Sequence, residues 1–277
     1  MKEITRRSLL AGAAILPALP SIRLFASEAQ GDLKIGVASY SLRNKKLPEA
    51  IQALKELKVR YLKMKLEAHL PFTTTPAQMA DAKKMLSDAG IQLTSTGNNP
   101  LQNPNESEIR AKFEFNKKLG VPMMIIAPTR ETLPIIEKLV KEYDMKVAIH
   151  NHGPEDKHFP APVDVLKAIK GMDPRVGLCL DVGHAVRAGA DIVADARAAG
   201  ARLLDVDAKD LRSKTDRDSQ CDVGDGVLAI APLFKQLRQM KYAGVVHLEY
   251  EINADNPVPG MHRSLCYMRG IAAGLSA

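Results

Sequence analysis

Three of the seven histidines of this 277-residue chain lie within residues 150–158, in the run VAIHNHGPEDKH. The run changes there from apolar to polar, as where a buried strand ends and a loop begins. His150 and His152 are two residues apart, so on a strand both side chains point to one side. Imidazoles in this arrangement can bind a divalent metal or exchange protons with a substrate. His158 lies in the loop, where a solvated side chain is expected.

Three later segments make the same change and add further ligand types. They are VGLCLDVGH with Asp181 and His184, RLLDVDAKD with Asp205, Asp207 and Lys209, and VVHLEYE with His247, Glu249 and Glu251. Each side chain alone fits a solvated strand end equally well. Buried carboxylates in one place, however, would repel each other and lose their hydration, and a divalent cation removes both costs. Four consecutive segments therefore predict a metal site, for which one histidine and three carboxylates are suitable ligands.

Strand-like runs alternate with helical periodicity through the rest of the chain. The eight runs cover residues 34–41, 60–68, 91–97, 122–128, 145–152, 176–184, 202–210 and 243–251. Eight such repeats without a change of composition predict an α/β fold, a single (β/α)8 barrel over residues 30–277. A doubly wound open sheet is the alternative, but no GxGxxG follows a strand. In a (β/α)8 barrel the active site lies at the carboxyl ends of the strands, where the four segments end.

Residues 1–29 have the features of a secretory signal peptide. The segment has a charged start, the pair Arg6-Arg7, a short apolar stretch and a small residue at Ala29. This order predicts a twin-arginine signal and export to the periplasm, by a route that carries folded, often metal-loaded proteins. A buried N-terminal helix is the alternative. The apolar stretch is too short to span a bilayer, so no stable membrane anchor is expected.

Composition narrows the classes of partner. Removing residues 1–29 takes away four basic and two acidic residues, which lowers the net charge from +7 to +5. This modest excess, without a dense basic run, argues against nucleic-acid binding. The three cysteines are far apart and predict no disulfide framework. The oligomeric state stays open, a dimer included.

The segments VAIHNHGPED, VGLCLDVGHAVRAG, RLLDVDAKD, GDG and VVHLEYE, in this order, resemble the sugar phosphate isomerase/epimerase family, the xylose isomerase-like TIM barrels. The resemblance implies one divalent ion (Mn, Co, Zn or Mg) bound by His150, Asp181, Asp207 and Glu249. It also implies a carbohydrate substrate held by His152, His184 and Lys209. At two ligand positions the chain departs from the family pattern, with His150 where Glu is common and Asp207 where His is common. Because the two exchanges compensate, the ligand number and summed charge are unchanged.

The resemblance implies an isomerase or epimerase of a keto sugar, with Glu249 and His150 as catalytic residues. Because the common strand-five Glu is replaced, a lyase or hydratase acting on 3-keto-glycosides is the main alternative. A non-catalytic periplasmic sugar-binding protein is another. An abasic-site endonuclease is disfavoured, since its trinuclear site needs more histidines. For Lys209, the alternative role is an ion pair with Asp205 or Asp210.

Overall fold

Eight parallel strands close into a barrel in the computed structural model, which describes residues 33–276. Neighbours in sequence are neighbours in the barrel, and the last strand closes it by pairing with the first. The barrel strands are β1 (Lys34–Ala38), β2 (Tyr61–Met64), β3 (Gln92–Leu101), β4 (Met123–Pro128), β5 (Lys146–His150), β6 (Val176–Asp181), β7 (Leu203–Ala208) and β10 (Val245–Leu248). Between β7 and β10, a short hairpin is formed by β8 (Asp210–Leu211) and β9 (Gln220–Cys221). The predicted (β/α)8 barrel is confirmed.

Helices follow the strands and surround the barrel. They are α1 (Leu47–Glu56), α2 (Leu66–His69), α3 (Pro76–Asp88), α4 (Glu106–Leu119), α5 (Leu133–Tyr143), α6 (Pro162–Ala168), α7 (Val182–Arg187), α8 (Ile192–Ala199), α9 (Ile230–Gln239) and α10 (Val258–Ser276). The second strand, expected over 60–68, is shorter because α2 begins at Leu66. Over residues 33–276, none of the helices has the length and apolar character needed to cross a membrane.

Local sequence signals set the ends of several helices. Thr75 accepts a hydrogen bond from the backbone N of Gln78 at 3.3 Å and precedes a proline at the first position of α3. This is a capping box, which satisfies backbone donors that have no partner within the helix. At the C-terminal end of α4, Gly120 adopts φ +82°, the left-handed conformation that commonly ends a helix.

The barrel interior is apolar on one side and charged on the other. Alternate strand residues point outward into the large core under the helices, among them Val147, Ile149, Val206 and Leu248. The inward set includes a small apolar cluster of Met123, Ile125, Ala148 and Cys179. It also includes four buried polar side chains: Lys63, Asp205, Asp207 and His247. Barrels of this kind are usually filled by branched apolar residues, so the buried charges are the feature to explain.

The signal peptide predicted for residues 1–29 lies outside the described residues. The domain boundary at residue 30 and the periplasmic location therefore stay predictions.

Candidate functional site

The four predicted metal ligands converge at the carboxyl ends of β5, β6, β7 and β10. One ligand atom from each of His150, Asp181, Asp207 and Glu249 lies within 4.8 Å of the others. His150 Nε2 is 3.5 Å from Asp181 Oδ2 and 3.3 Å from Asp207 Oδ2. Both aspartates are fully buried, while the Glu249 side chain is 14% exposed. The four side chains that the family resemblance implied as ligands therefore lie together in three dimensions.

Asp181 is oriented by the helix that follows it. Its Oδ1 accepts a hydrogen bond from the backbone N of His184 at 2.7 Å and so caps the N-terminus of α7. This bond turns the second oxygen, Oδ2, toward His150. The DVGH segment thus performs two tasks with one carboxylate, since one oxygen starts a helix and the other joins the ligand group.

Asn151, the central residue of the His-Asn-His run, joins the ends of β5 and β6. Its Nδ2 donates to the backbone O of Asp181 and its Oδ1 accepts from the backbone N of Asp181, both at 3.0 Å. The side chain is fully buried. This reciprocal pair fixes the position of Asp181 relative to its neighbour His150. Sequence reasoning had assigned Asn151 no role.

Lys209 lies among the acidic groups of the site. Its Nζ is 2.9 Å from Asp181 Oδ2 and 3.0 Å from Glu249 Oε2, and it also contacts Glu251 Oε1. The alternative prediction, an ion pair of Lys209 with Asp205 or Asp210, is wrong. Asp210 instead accepts backbone hydrogen bonds from the loop after β9, and Asp205 pairs with His247.

Gly183 explains how Lys209 reaches this position. A Cβ at residue 183 would lie 2.6 Å from Cδ and 2.8 Å from Cγ of Lys209. Such distances are well inside van der Waals contact, so any side chain there would displace the lysine stem. The glycine of DVGH therefore leaves space for a neighbouring functional side chain.

Burial and neighbouring charges change the protonation of two ligands. Burial would lower the pKa of His150, but hydrogen bonding to Asp181 and Asp207 raises it to about 10. For Glu249, burial raises the pKa to about 7, although the Lys209 ammonium opposes the shift. Both groups therefore carry protons at neutral pH more readily than usual, and a metal ion would compete with those protons.

A pocket of about 710 Å³ opens above these residues. His150, Lys209 and Glu249 lie on its surface, and so do His152 and His184, the predicted substrate contacts. The ring centroids of His152 and His184 are 4.8 Å apart. Burial lowers the pKa of both, to about 4 for His184. Both rings are therefore neutral at pH 7, and each can donate one hydrogen bond and accept another.

Two further residues of the site were missed in the sequence. Arg187 lines the pocket, its Nη1 lies 3.3 Å from His184 Nδ1, and its other end pairs with Glu155. It follows DVGH by three residues, one helical turn, which is the signal that could have found it. Lys63 lies beneath the pocket and contacts Asp207 and Asp205. The sequence signal that could have found Lys63 was a lysine in the middle of an otherwise apolar strand.

The donor set fits a divalent cation. Among the described residues, His150 Nδ1 is a buried atom without a hydrogen-bond partner, and the buried Asp181 Oδ2 meets only the charged or ionisable nitrogens of Lys209 and His150. One imidazole and three carboxylates, arranged around one point, are donors that Mn²⁺, Co²⁺, Zn²⁺ and Mg²⁺ accept to different degrees. His150, Asp181, Asp207 and Glu249 are the residues that would hold such an ion. The Lys209 ammonium contacts two of them and would share their charge.

Solved structures with the same architecture include sugar-modifying enzymes. An uncharacterized protein from Parabacteroides distasonis is 25% identical, with a TM-score of 0.68, and covers 86% of this chain and 99% of its own. The 3-keto-D-glucoside 4-epimerase from E. coli is 16% identical, with a TM-score of 0.71 over 86% of this chain and 99% of its own. A D-tagatose 3-epimerase-like protein is 18% identical, with a TM-score of 0.71 over 88% and 100%. At these identities the last two show a shared fold.

None of the curated proteins compared with the chain matches it significantly. The family model described as "Xylose isomerase-like TIM barrel" matches residues 51–270, which include every residue of the ligand group. With the closed barrel and the site at its carboxyl-terminal mouth, this match identifies the chain as a member of the xylose isomerase-like TIM barrel family.

Proposed function

We propose that the protein is a divalent-metal-dependent enzyme that isomerises or epimerises a keto sugar. The observation that carries the proposal is the convergence of His150, Asp181, Asp207 and Glu249, with ligand atoms within 4.8 Å, at the floor of a deep pocket. Epimerases with this fold, including one that acts on a 3-keto-glucoside, support a carbohydrate substrate. Membership of the family supports an enzyme.

Different residues of the site have different roles in the proton transfer. A divalent ion held by His150, Asp181, Asp207 and Glu249 would supply Lewis acidity that polarises the carbonyl of the sugar. Glu249 removes the proton from the carbon next to that carbonyl, because it is the ligand-group carboxylate on the pocket surface. A base positioned in this way contributes about 10²–10⁴-fold in rate. Lys209, 3.0 Å from Glu249, offsets negative charge that develops on the sugar oxygen.

His152, His184 and Arg187 form the wall that recognises the sugar. They line the same pocket, and their ring and guanidinium nitrogens supply the directional hydrogen bonds that hydroxyl groups require. Return of the proton by Glu249 to the neighbouring carbon gives isomerisation, whereas epimerisation takes a proton from a second group on the opposite face of the same carbon, a role for which His150 is the candidate on the pocket surface. Four cationic side chains from the described residues line the pocket: Arg187 is paired with Glu155, Lys65 with Glu67 and Lys209 with three carboxylates, and Arg217 is the fourth.

A lyase or hydratase acting on 3-keto-glycosides is the second candidate. Its support is His150, which stands where a second carboxylate base would be needed for two-sided proton transfer. With Glu249 as the sole carboxylate of the ligand group on the pocket surface, the removed proton can be followed by departure of the β-glycosidic oxygen instead. The pocket also extends to Tyr40 and Ile252, which offer apolar surface for an aglycone.

Metal analysis and product analysis test the proposal together. We expect about one Mn²⁺, Co²⁺, Zn²⁺ or Mg²⁺ per chain, and loss of binding in Asp181→Asn. With a keto sugar in D₂O, isomerase or epimerase activity places deuterium on one carbon without cleavage. With a 3-keto-glycoside, release of free aglycone shows elimination. A protein that takes up no metal and turns over neither substrate contradicts the proposal.

A matched pair of variants separates an enzyme from a sugar-binding protein. Glu249→Gln removes the base, so turnover is expected to fall by about 10²–10⁴-fold while the ligand still binds. Glu131→Gln makes the same change on an exposed side chain and should leave turnover unchanged. If Glu249→Gln binds sugar as the unsubstituted protein does, and neither shows turnover, the protein is a binding protein.

We also propose that residues 1–29 direct export to the periplasm by the twin-arginine route. The support is the order of the segment: a charged start, Arg6-Arg7, an apolar stretch and Ala29. Replacement of both arginines by lysine is expected to retain the full-length protein in the cytoplasm. N-terminal sequencing of the exported protein should begin near residue 30. Equal export of the two proteins contradicts the proposal.

A further inference from the structure

Lys63 places a positive charge inside the barrel, directly beneath the ligand group. It is the third residue of β2 and is 2% exposed. Its Nζ contacts Asp207 Oδ1 and lies 3.4 Å from Asp205 Oδ2, both on β7 at the other side of the interior. A lysine is rarely buried to this extent unless it is paired, and here two carboxylates pair with it.

The contact with Lys63 divides the two oxygens of Asp207 between different partners. Oδ1 faces the lysine, whereas Oδ2 lies 3.3 Å from His150 Nε2 in the ligand group. Lys63 is thus in direct contact with a carboxylate of the ligand group, on the oxygen that does not face His150. The lysine is absent from the pocket surface, so it does not contact substrate there.

The carboxylates around Lys63 also contact other buried side chains. Asp205 Oδ1 lies 2.8 Å from His247 Nδ1, and the other nitrogen of that ring lies 2.9 Å from Thr94 Oγ1. Cys179 Sγ lies 3.3 Å from Asp207 Oδ2. Burial alone would lower the pKa of Lys63, but these neighbours, Asp207 first, raise it well above its ordinary value. The side chain is therefore a permanent internal cation.

We propose that Lys63 sets the charge of the metal site: its positive charge, in contact with Asp207, reduces the attraction of the ligand group for a divalent cation. The inference rests on the proposed metal binding. Its physical basis is that a fixed positive charge, in contact with one of the ligands, repels a second cation through an interior of low polarity. The same charge stabilises the metal-free protein, because it separates Asp205 from Asp207.

These two effects have opposite signs, which makes the inference testable. In Lys63→Met, a side chain of similar length keeps most of the packing but carries no charge. We expect the melting temperature of the metal-free variant to fall, because two buried carboxylates lose their partner. We also expect Mn²⁺ to bind more tightly, on the order of tenfold, because the repelling charge is gone. A purely structural lysine would give a lower melting temperature with weaker or unchanged binding.

The measurements are calorimetric titration with Mn²⁺ and thermal unfolding with and without Mn²⁺. Lys146→Met is the matched control, since Lys146 is the exposed first residue of β5, and neither quantity should change in it. If Lys63→Met does not fold, the double variant Lys63→Met/Asp205→Asn removes one charge of each sign and leaves the four ligands intact. It is expected to recover the melting temperature and to bind Mn²⁺ more tightly than Asp205→Asn alone, from which it differs only by the charge of Lys63.

The outcomes separate the two proposals. If the unsubstituted protein binds no divalent metal, the proposed metal dependence is wrong and the role of Lys63 falls with it. If the unsubstituted protein binds Mn²⁺, but each folded Lys63 variant binds it no more tightly than the matching protein that keeps Lys63, the metal site stands and the inference about Lys63 is overturned.

Discussion

Asn151 and Asp181 exchange two hydrogen bonds, each 3.0 Å long, between the amide side chain of one and the backbone of the other. The pair joins the ends of two adjacent strands just where their side chains turn into the site. It links the two strands at the point where their backbone-to-backbone pairing ends. The geometry of His150 and Asp181 therefore depends on a residue that is absent from the pocket lining and from the ligand group.

Substitution of Asn151 is expected to destabilise the protein. Asn151→Ala removes both hydrogen bonds to the backbone of Asp181, at a cost of about 1–3 kcal/mol for each buried group left unpaired. Urea unfolding measures the loss. Asn44→Ala, which removes a surface hydrogen bond to Asp255, is the control and should change stability by less than about 0.5 kcal/mol. Equal stability of the two variants contradicts the assigned role.

Substitution of Gly183 is expected to damage function more than stability. In Gly183→Ala the new Cβ would lie 2.6 Å from Lys209 Cδ, so the flexible lysine moves away from Asp181 and Glu249. A displacement of about 1 Å at a functional group can reduce kcat/KM by about 100-fold. Steady-state kinetics and the melting temperature separate the two effects. Gly270→Ala, where a Cβ meets no atom within 4 Å, should keep full activity.

Metal affinity is expected to increase with pH. Because burial raises the pKa of Glu249 to about 7, protons compete with the metal for this carboxylate below that pH. The Kd for Mn²⁺ should therefore fall as pH rises toward about 7, by up to about tenfold per unit from this group. Titrations of the unsubstituted protein and Glu249→Gln between pH 5.5 and 8 measure the difference. An identical pH dependence in the two proteins removes Glu249 from the ligand set.

Acid is expected to destabilise the metal-free protein partly through His184. Burial lowers its pKa from 6.5 to about 4, so between these values the unfolded chain binds more protons than the folded one. Stability contributed by the neutral ring is thus present above pH 6.5 and is lost as pH falls toward 4. Thermal unfolding in a chelator should show a smaller decrease over this range for His184→Gln. An equal decrease of the melting temperature in both proteins would show that His184 does not cause the loss of stability.

The fold could be predicted from the sequence because the alternation of strand-like and helical runs is a short-range pattern. The four members of the ligand group, His150, Asp181, Asp207 and Glu249, were implied by the family resemblance, and the order of the strands brings their ends together. The partners of Lys63 and Lys209 could not be predicted in this way. Lys63 meets Asp207 across the barrel, 144 positions away in the chain. Such a pair depends on closure of the barrel rather than on any local spacing.

Strand β10 pairs with both β1 and β7, and the residue that follows it is Glu249. The proposed ligand group therefore gains its fourth member from the strand that closes the barrel. A chain that ended before residue 249 would offer only three of the four donors, and the seam between the first and last strands would still be open. Closure of the barrel and completion of the proposed metal site thus depend on the same strand.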